Sequence, residues 1–312
     1  MYTISIKILL FTLLFLGVIS CNFGPKPDKI VKITVTFDEK NGSNEEINTV
    51  VEILKNRINK ISSDSKIERK QDSDQITIEV TTHYDPERIK DLVINEGRLD
   101  FYETYNIEEI LPFLIETNNL LKKDDDIDPL LDIIKRAEYS SGAILFYASE
   151  KDTTIINHYL SFKGAETKLP AKRRIIRFVW GRQEERTSFF PLYALKLGKY
   201  GKPVLDQKTI EQAKQVFDQL ARPAIAVQVN EEGAEIWERL TERAFQERFQ
   251  IAMVINDAVY SAPGVSQGPI KGGKFEISSD FTVEEAQDLA IILDSGSISK
   301  MRIISFDVTQ IN

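Results

Sequence analysis

The chain has 312 residues, 42% of them apolar, and a formal net charge of −8, with 48 acidic against 40 basic side chains. Such a length and apolar content can fill an ordinary core in one or two domains. The acidic balance works against a phosphate-binding face and against electrostatic adsorption to anionic lipid, so nucleic acid is not expected as a partner.

At the N-terminus, Ile8–Ile19 is apolar apart from Thr12 and Gly17 and follows a single basic residue, Lys7. The run suits the core of a signal peptide and falls short of the about 20 apolar residues that a bilayer span needs. Val18-Ile19-Ser20-Cys21 resembles the lipobox of bacterial lipoproteins. That resemblance implies a signal peptide over 1–20, a lipid on Cys21, and a body held at the membrane by that lipid. Cys21 is the single cysteine of the sequence, so once acylated it leaves no thiol for a disulfide, a metal or a nucleophile. Residues 21–29 hold Gly24, Pro25 and Pro27 and read as a short stiff tether.

Next comes an alternation of Val31, Ile33, Val35 and Phe37 with Lys32, Thr34 and Thr36, the period of a half-buried strand. Val51, Leu54, Ile58 and Ile61 predict a helix over Thr49–Ile61, and Ile76, Ile78 and Val80 a second strand. Asp85-Pro86 is a helix start, with an acidic cap before proline in the first turn. Ile89, Leu92 and Val93 give that helix an apolar face, Gly97 ends it, and Leu99–Tyr102 reads as a strand. Within 106–191 the pattern is mixed: a helix at Ile107–Leu121, an acidic run at Asp124–Asp128 and a basic run at Lys172–Arg177. Thr209–Leu220 has helical spacing and Ile225–Val229 reads as a strand. Gly233–Phe249 predicts a helix with Ile236, Leu240, Ala244 and Phe245 on one face. Ile251–Ile255 and Ala258–Ser261 form a hairpin around Asn256-Asp257. Thr282-Val283-Glu284-Glu285 is a capping box, followed by Ala286, Leu289, Ala290 and Leu293, a stop at Gly296 and a strand at Met301–Val308. Strand–helix–strand pieces at both ends of the chain predict one α+β domain interrupted by a long insertion.

Several short motifs recur in a recognisable order. They are Asn230-Glu231-Glu232-Gly233-Ala234 after a strand, Ser261-Ala262-Pro263, Gly272-Gly273, Phe281–Ala286, and Leu289-Ala290 before Ser295-Gly296. Upstream, Ile53–Ile58, Asp85–Leu92 and Gly97–Phe101 precede them. In this series the chain resembles the first periplasmic domain of the SecD family of protein-export membrane proteins, over most of 48–104 and 192–304. The resemblance implies a ferredoxin-like base built from both chain ends (30–105 and 281–312), a family-variable insertion (106–191) and an α+β head subdomain (192–280). Two departures bear on function. Lys29–Phe37 stands where the family has a glycine-rich entry motif. SecD also continues into transmembrane helices that couple proton flow to movement, whereas this sequence ends at Asn312, which implies binding or regulation without a motor.

No constellation points to catalysis, a metal or a cofactor. His83 and His158 lie far apart, with no carboxylate or cysteine at ligand spacing. The acidic run lacks the glycine and distal glutamate of a calcium loop. Arg174 and Arg177 flank Ile175-Ile176 as at an exposed strand end, and the phosphate-loop motif is missing from the sequence. The candidates for polypeptide contact are Val259 and Tyr260 in the hairpin, and Val265 and Ile270 in the loop after it. Exposed, they would offer an edge or apolar groove to an extended chain; the alternative is that each belongs to the core of the head. The expectation is a non-enzymatic, periplasm-facing lipoprotein that binds polypeptide substrates or Sec translocon components in support of export. The alternative is a scaffolding envelope lipoprotein that keeps the fold without the transport role.

Overall fold

A computed structural model describes residues 25–38, 43–70, 73–123, 127–135, 142–183 and 188–311. The signal segment 1–20, the lipid-attachment residue Cys21 and Asp124–Asp126 of the acidic run lie outside the described residues.

The first alternation becomes β1 (Lys29–Phe37), with Val31, Ile33 and Val35 fully buried and Lys32 facing water. α1 (Asn44–Asn59) begins at Ser43, whose side chain accepts from the Glu46 amide, and buries Val50, Leu54 and Ile58. β2 (Ser65–Arg69) and β3 (Ile76–Thr82) follow, then α2 (Pro86–Ile94), which starts on the expected Asp85 cap with Pro86 in its first turn. The chain continues through β4 (Leu99–Tyr105), α3 (Ile107–Leu121), β5 (Ile144–Ser149), α4 (Glu150–Leu160), β6 (Ile176–Trp180), β7 (Phe189–Lys196) and β8 (Leu205–Asp206). Then come β9 (Ile210–Phe217), β10 (Pro223–Val229), α5 (Glu231–Glu247), β11 (Ile251–Ile255), β12 (Ala258–Ser261) and β13 (Lys274–Ser278). α6 (Val283–Ser295) and β14 (Met301–Gln310) complete it.

β14 pairs antiparallel with β1 from Lys29–Gln310 to Phe37–Met301, which sets the sheet order β14-β1-β3-β2. Val31, Ile33, Ile76, Ile78 and Val80 on one face of this sheet share a core with Leu54 and Ile58 of α1 and with Ile89 and Leu92 of α2. The order is strand–helix–strand–strand–helix–strand, and its last member comes from the far end of the chain. β4 does not join this sheet. It pairs with β11 and β7 in a second sheet of order β12-β11-β4-β7-β5, with β6 on β7 and β8 on β4. β9, β10 and β13 make a third sheet in the order β13-β10-β9.

Two expectations are corrected. Thr209–Leu220 is not helical: it forms β9 and is paired with β10 from Phe217–Pro223 to Gln212–Gln228. Ile210, Ala213 and Val216 do fall at helical spacing, but pairing with a distant strand and burial of Ala213 override that local signal. On α5 the buried face runs through Gly233, Trp237, Leu240, Thr241 and Ala244, so it is rotated from the expected Ile236–Phe245 stripe, and both of those residues are only half-buried. The Asn256-Asp257 turn has φ of 48° and 71°, the left-handed pair that a tight antiparallel hairpin requires. Both bonds of the Thr282–Glu285 capping box are present at the start of α6. Ala286, Leu289, Ala290 and Leu293 of α6 join the core beneath the β13-β10-β9 sheet, while Ile292 joins the core of the four-stranded unit. α6 is thus shared between the two.

Candidate polypeptide-binding surface

The β13-β10-β9 sheet has two unlike faces. Ile225, Val227, Phe275, Ile277 and Ala213 point inward, where Phe275 lies 4.5 Å from Trp237 and 5.1 Å from Phe101 between ring centres. The outward residues are Gln212, Lys214 and Val216 on β9, Ala226 and Gln228 on β10, and Lys274 and Glu276 on β13; they line a shallow depression of about 450 Å³. Alternation along antiparallel strands produces this separation.

β9 is also an edge strand. Its outer side opens on a cleft of about 500 Å³ walled by Lys60, Ile61, Tyr84 and Arg88 from the four-stranded unit, and by Gln287, Ile291 and Asp294 of α6. Asp294 takes one of the edge donors, the Ala213 amide at 3.0 Å, and pairs with Lys60. Arg88 closes the far side on Asp288 at 2.7 Å.

The β9–β10 connection is a rigid knob. Asp218 accepts from the amides of Leu220 (2.8 Å) and Arg222 (2.9 Å) and from the Arg222 guanidinium, while its own amide donates to the Arg222 carbonyl at 2.9 Å. The Arg222 amide bond, with smaller help from the guanidinium and the Leu220 amide, holds the Asp218 carboxyl below the usual carboxylate range. On this frame Phe217 is 58% exposed and Leu220 71% exposed. An edge strand, an open face and a fixed apolar tip in one small sheet are the elements by which an extended peptide is held, through main-chain bonds along the edge and side-chain contacts beside it.

The residues singled out from the sequence do not gather into one surface. Val259 is 2% exposed and packs with Tyr102, Val179 and Leu195, so it faces the core and presents nothing to a polypeptide. Tyr260 is half-buried: the Arg182 guanidinium sits 5.1 Å from its ring centre and 5.4 Å from that of Phe281, and burial pushes its hydroxyl upward in pKa. Val265 leans on the same core as Phe281, and Ile270 is exposed, with its amide donating to the Thr241 hydroxyl at 2.9 Å. The basic run ends in ion pairing, since Arg177 meets Asp257 at 2.5 Å. The His83 ring lies tilted beside Tyr84, 4.1 Å between ring centres, in the four-stranded unit, while His158 lies on α4. Sequence reasoning missed β9 and its tip. The available signal was the Asp218…Arg222-Pro223 turn, whose carboxylate can cap several amides at once.

Residues 191–299 match the family model described as the SecDF P1 head subdomain. The protein translocase subunit SecD of Rhodothermus marinus is 25% identical over 287 residues, covering 81% of this chain and 45% of that protein. The chain therefore spans less than half the length of this curated relative. Among solved structures, SecDF in a super-membrane-facing form superposes with a TM-score of 0.54 at 19% identity, over 97% of this chain and 34% of that one. A structure described as a membrane component SecDF that enhances protein export gives 0.51 at 19% identity, over 88% of this chain and 98% of that one. At that identity the shared property is the fold. Most of the chain is thus similar to the first periplasmic domain of SecD and SecDF, as its sequence motifs implied, and the β13-β10-β9 sheet lies within the matched head.

Proposed function

We propose that this protein supports protein export by binding extended polypeptide, either an emerging substrate or a segment of the Sec translocon, on the β9 edge and its Phe217–Leu220 tip. The observation that carries the reading is an edge strand, one of whose amides is held by Asp294, beside an exposed apolar knob, inside the segment that matches the SecDF head. Main-chain pairing along β9 would accept many sequences, which suits a protein that meets varied clients. In this reading the body binds rather than catalyses and does not itself move protons. A lipid on Cys21 keeps it at the membrane with its surface toward the periplasm.

Photo-crosslinking in intact cells tests this. A photoreactive residue at Gln215 or Leu220 should capture incompletely folded exported proteins or Sec components, whereas the same residue at Glu79, on the outer side of β3, should not. Equal capture at all three positions, or recovery of envelope structural proteins without exported clients, would reject the export role and favour a scaffolding one.

A further inference from the structure

The chain passes between the β14-β1-β3-β2 unit and the remainder at Asn95–Arg98, between α2 and β4, and at Gly296–Lys300, between α6 and β14. Arg57, in the last turn of α1 and fully buried, reaches both. Its Nη1 donates to the carbonyls of Leu92 (3.1 Å) and Asn95 (2.5 Å), and its Nη2 to those of Glu96 (3.4 Å) and Gly296 (2.8 Å). These acceptors sit at the C-terminal ends of α2 and α6, where unpaired carbonyls form the negative ends of two helix dipoles. Carbonyls compensate the buried cation; among the described residues no carboxylate pairs with it. Burial pushes the guanidinium down to about 9, a cost that ordinary packing at this position would avoid.

The surroundings fit this single side chain. Gly97 has φ of 70°, and a Cβ there would lie 2.9 Å from Arg57 Nη2 and 2.7 Å from Ile292 Cγ2. The two crossings also touch directly, through the Ile298 amide and the Glu96 carbonyl at 2.8 Å. The first is bolted to the β11–β12 turn: the Asn256 side chain donates to Asn95 Oδ1 at 2.5 Å and accepts from the Arg98 amide at 3.0 Å. A planar fork of donors can hold carbonyls from separate segments at once, and an ammonium cannot reproduce that geometry.

We propose that Arg57 is the positioning residue that fixes the four-stranded unit relative to the rest of the molecule, by holding both chain crossings on one buried guanidinium. The cleft beside β9 has walls from both sides of this junction, so Arg57 sets its width from a distance. This inference does not depend on what occupies the cleft.

The test is a distance measurement by pulsed electron spin resonance on the full chain carrying Cys21→Ser. One spin-labelled pair spans the junction (Glu52→Cys with Glu235→Cys), and a control pair lies within the head (Glu211→Cys with Glu235→Cys), all at exposed positions. Arg57→Met should broaden the spanning distribution by about two-fold while the control pair stays narrow. Arg57→Lys should fall between, and Gly97→Ala should broaden the spanning pair with Arg57 still in place. An unchanged spanning distribution in Arg57→Met would overturn the proposal. So would equal broadening of the control pair, which would make Arg57 a general stabiliser. Should Arg57→Met give no folded protein, Arg57→Lys and Gly97→Ala decide by the same criterion.

Discussion

Gly272 and Gly273 carry one of the motifs shared with SecD, and the structure separates their roles sharply enough for a quantitative comparison. Both have left-handed backbone, with φ of 77° and 63°. Placing an L-residue in that region costs about 1–2 kcal/mol, and the stiffer unfolded chain returns roughly half a kcal/mol. At Gly272 a Cβ meets nothing within 4 Å, so Gly272→Ala should cost only about 1 kcal/mol. At Gly273 it would lie 2.6 Å from Val229 Cγ2, 2.8 Å from Ala234 Cβ and 3.1 Å from Ala234 Cα. The last of these is backbone of α5, which cannot rotate away, and overpacking of that kind adds about 1–3 kcal/mol. Gly273→Ala should therefore cost about 3 kcal/mol. Thermal unfolding followed by tryptophan fluorescence reads the difference, because Trp237 is buried against Phe275 next to this turn. At roughly 2–4 °C per kcal/mol, Gly273→Ala should lower Tm by about 6–12 °C and Gly272→Ala by about 2–4 °C. Equal shifts would refute the reasoning, since they would mean that backbone conformation alone, and not the approach of α5, fixes glycine here. The Gly273 carbonyl accepts from the Val229 amide at 3.0 Å, so the costlier substitution should also loosen β13 from the sheet that carries the proposed surface.

Other substitutions probe the same architecture. Thr282→Ala removes the hydroxyl that accepts from the Glu285 amide and should cost about 1 kcal/mol in denaturant unfolding; a loss below about 0.3 kcal/mol would show that Glu285 alone holds the start of α6. Leu220→Asp lies on an exposed tip, so it should leave stability within about 0.5 kcal/mol of the parent while lowering photo-crosslinking of polypeptide at Gln215; unchanged capture would remove the tip from the binding surface. Asp218, held below its ordinary value of 3.8, contributes stability that is present above that pH and lost as pH falls toward the folded value. Asp218→Asn should therefore flatten the acid limb of a stability–pH profile, and an unaltered limb would show that the knob's bonds do not depend on charge. Asp100 and Asp288, both pushed upward by burial, act with the opposite sign: their contribution declines as pH rises from 3.8 through their folded values.

How far the sequence predicted the fold depended on whether a signal was local. The caps at Asp85 and Thr282 were readable because cap and helix start lie within four residues, and the Asn256-Asp257 turn because its left-handed pair is a property of two residues. The alternations of β1 and β3 were readable because one face of that sheet is covered by helices and the other is wet. Where both faces of a strand are occupied, or neither is strongly apolar, the period disappears. β4 is buried at every position, so its sequence marks it as a strand yet says nothing of which sheet it enters.

β9 fails for the opposite reason, and that failure bears on function. Its residues alternate between a lightly buried inner face and a polar outer one, with Ala213 the single buried member, so no strong two-residue period survives and the spacing of Ile210, Ala213 and Val216 imitates a helix. A strand that kept a broad apolar face would have been legible, but it would also have needed covering. The weak pattern goes with a strand that stays an edge, with its outer side open between two parts of the molecule. Val259 shows the converse: an apolar residue in a motif-rich hairpin reads in sequence as either contact or core, and the β11–β12 register turns it into the core. In this molecule the proposed surface comes from sheet order, which leaves β9 with a strand on one side alone, a property that no individual side chain encodes.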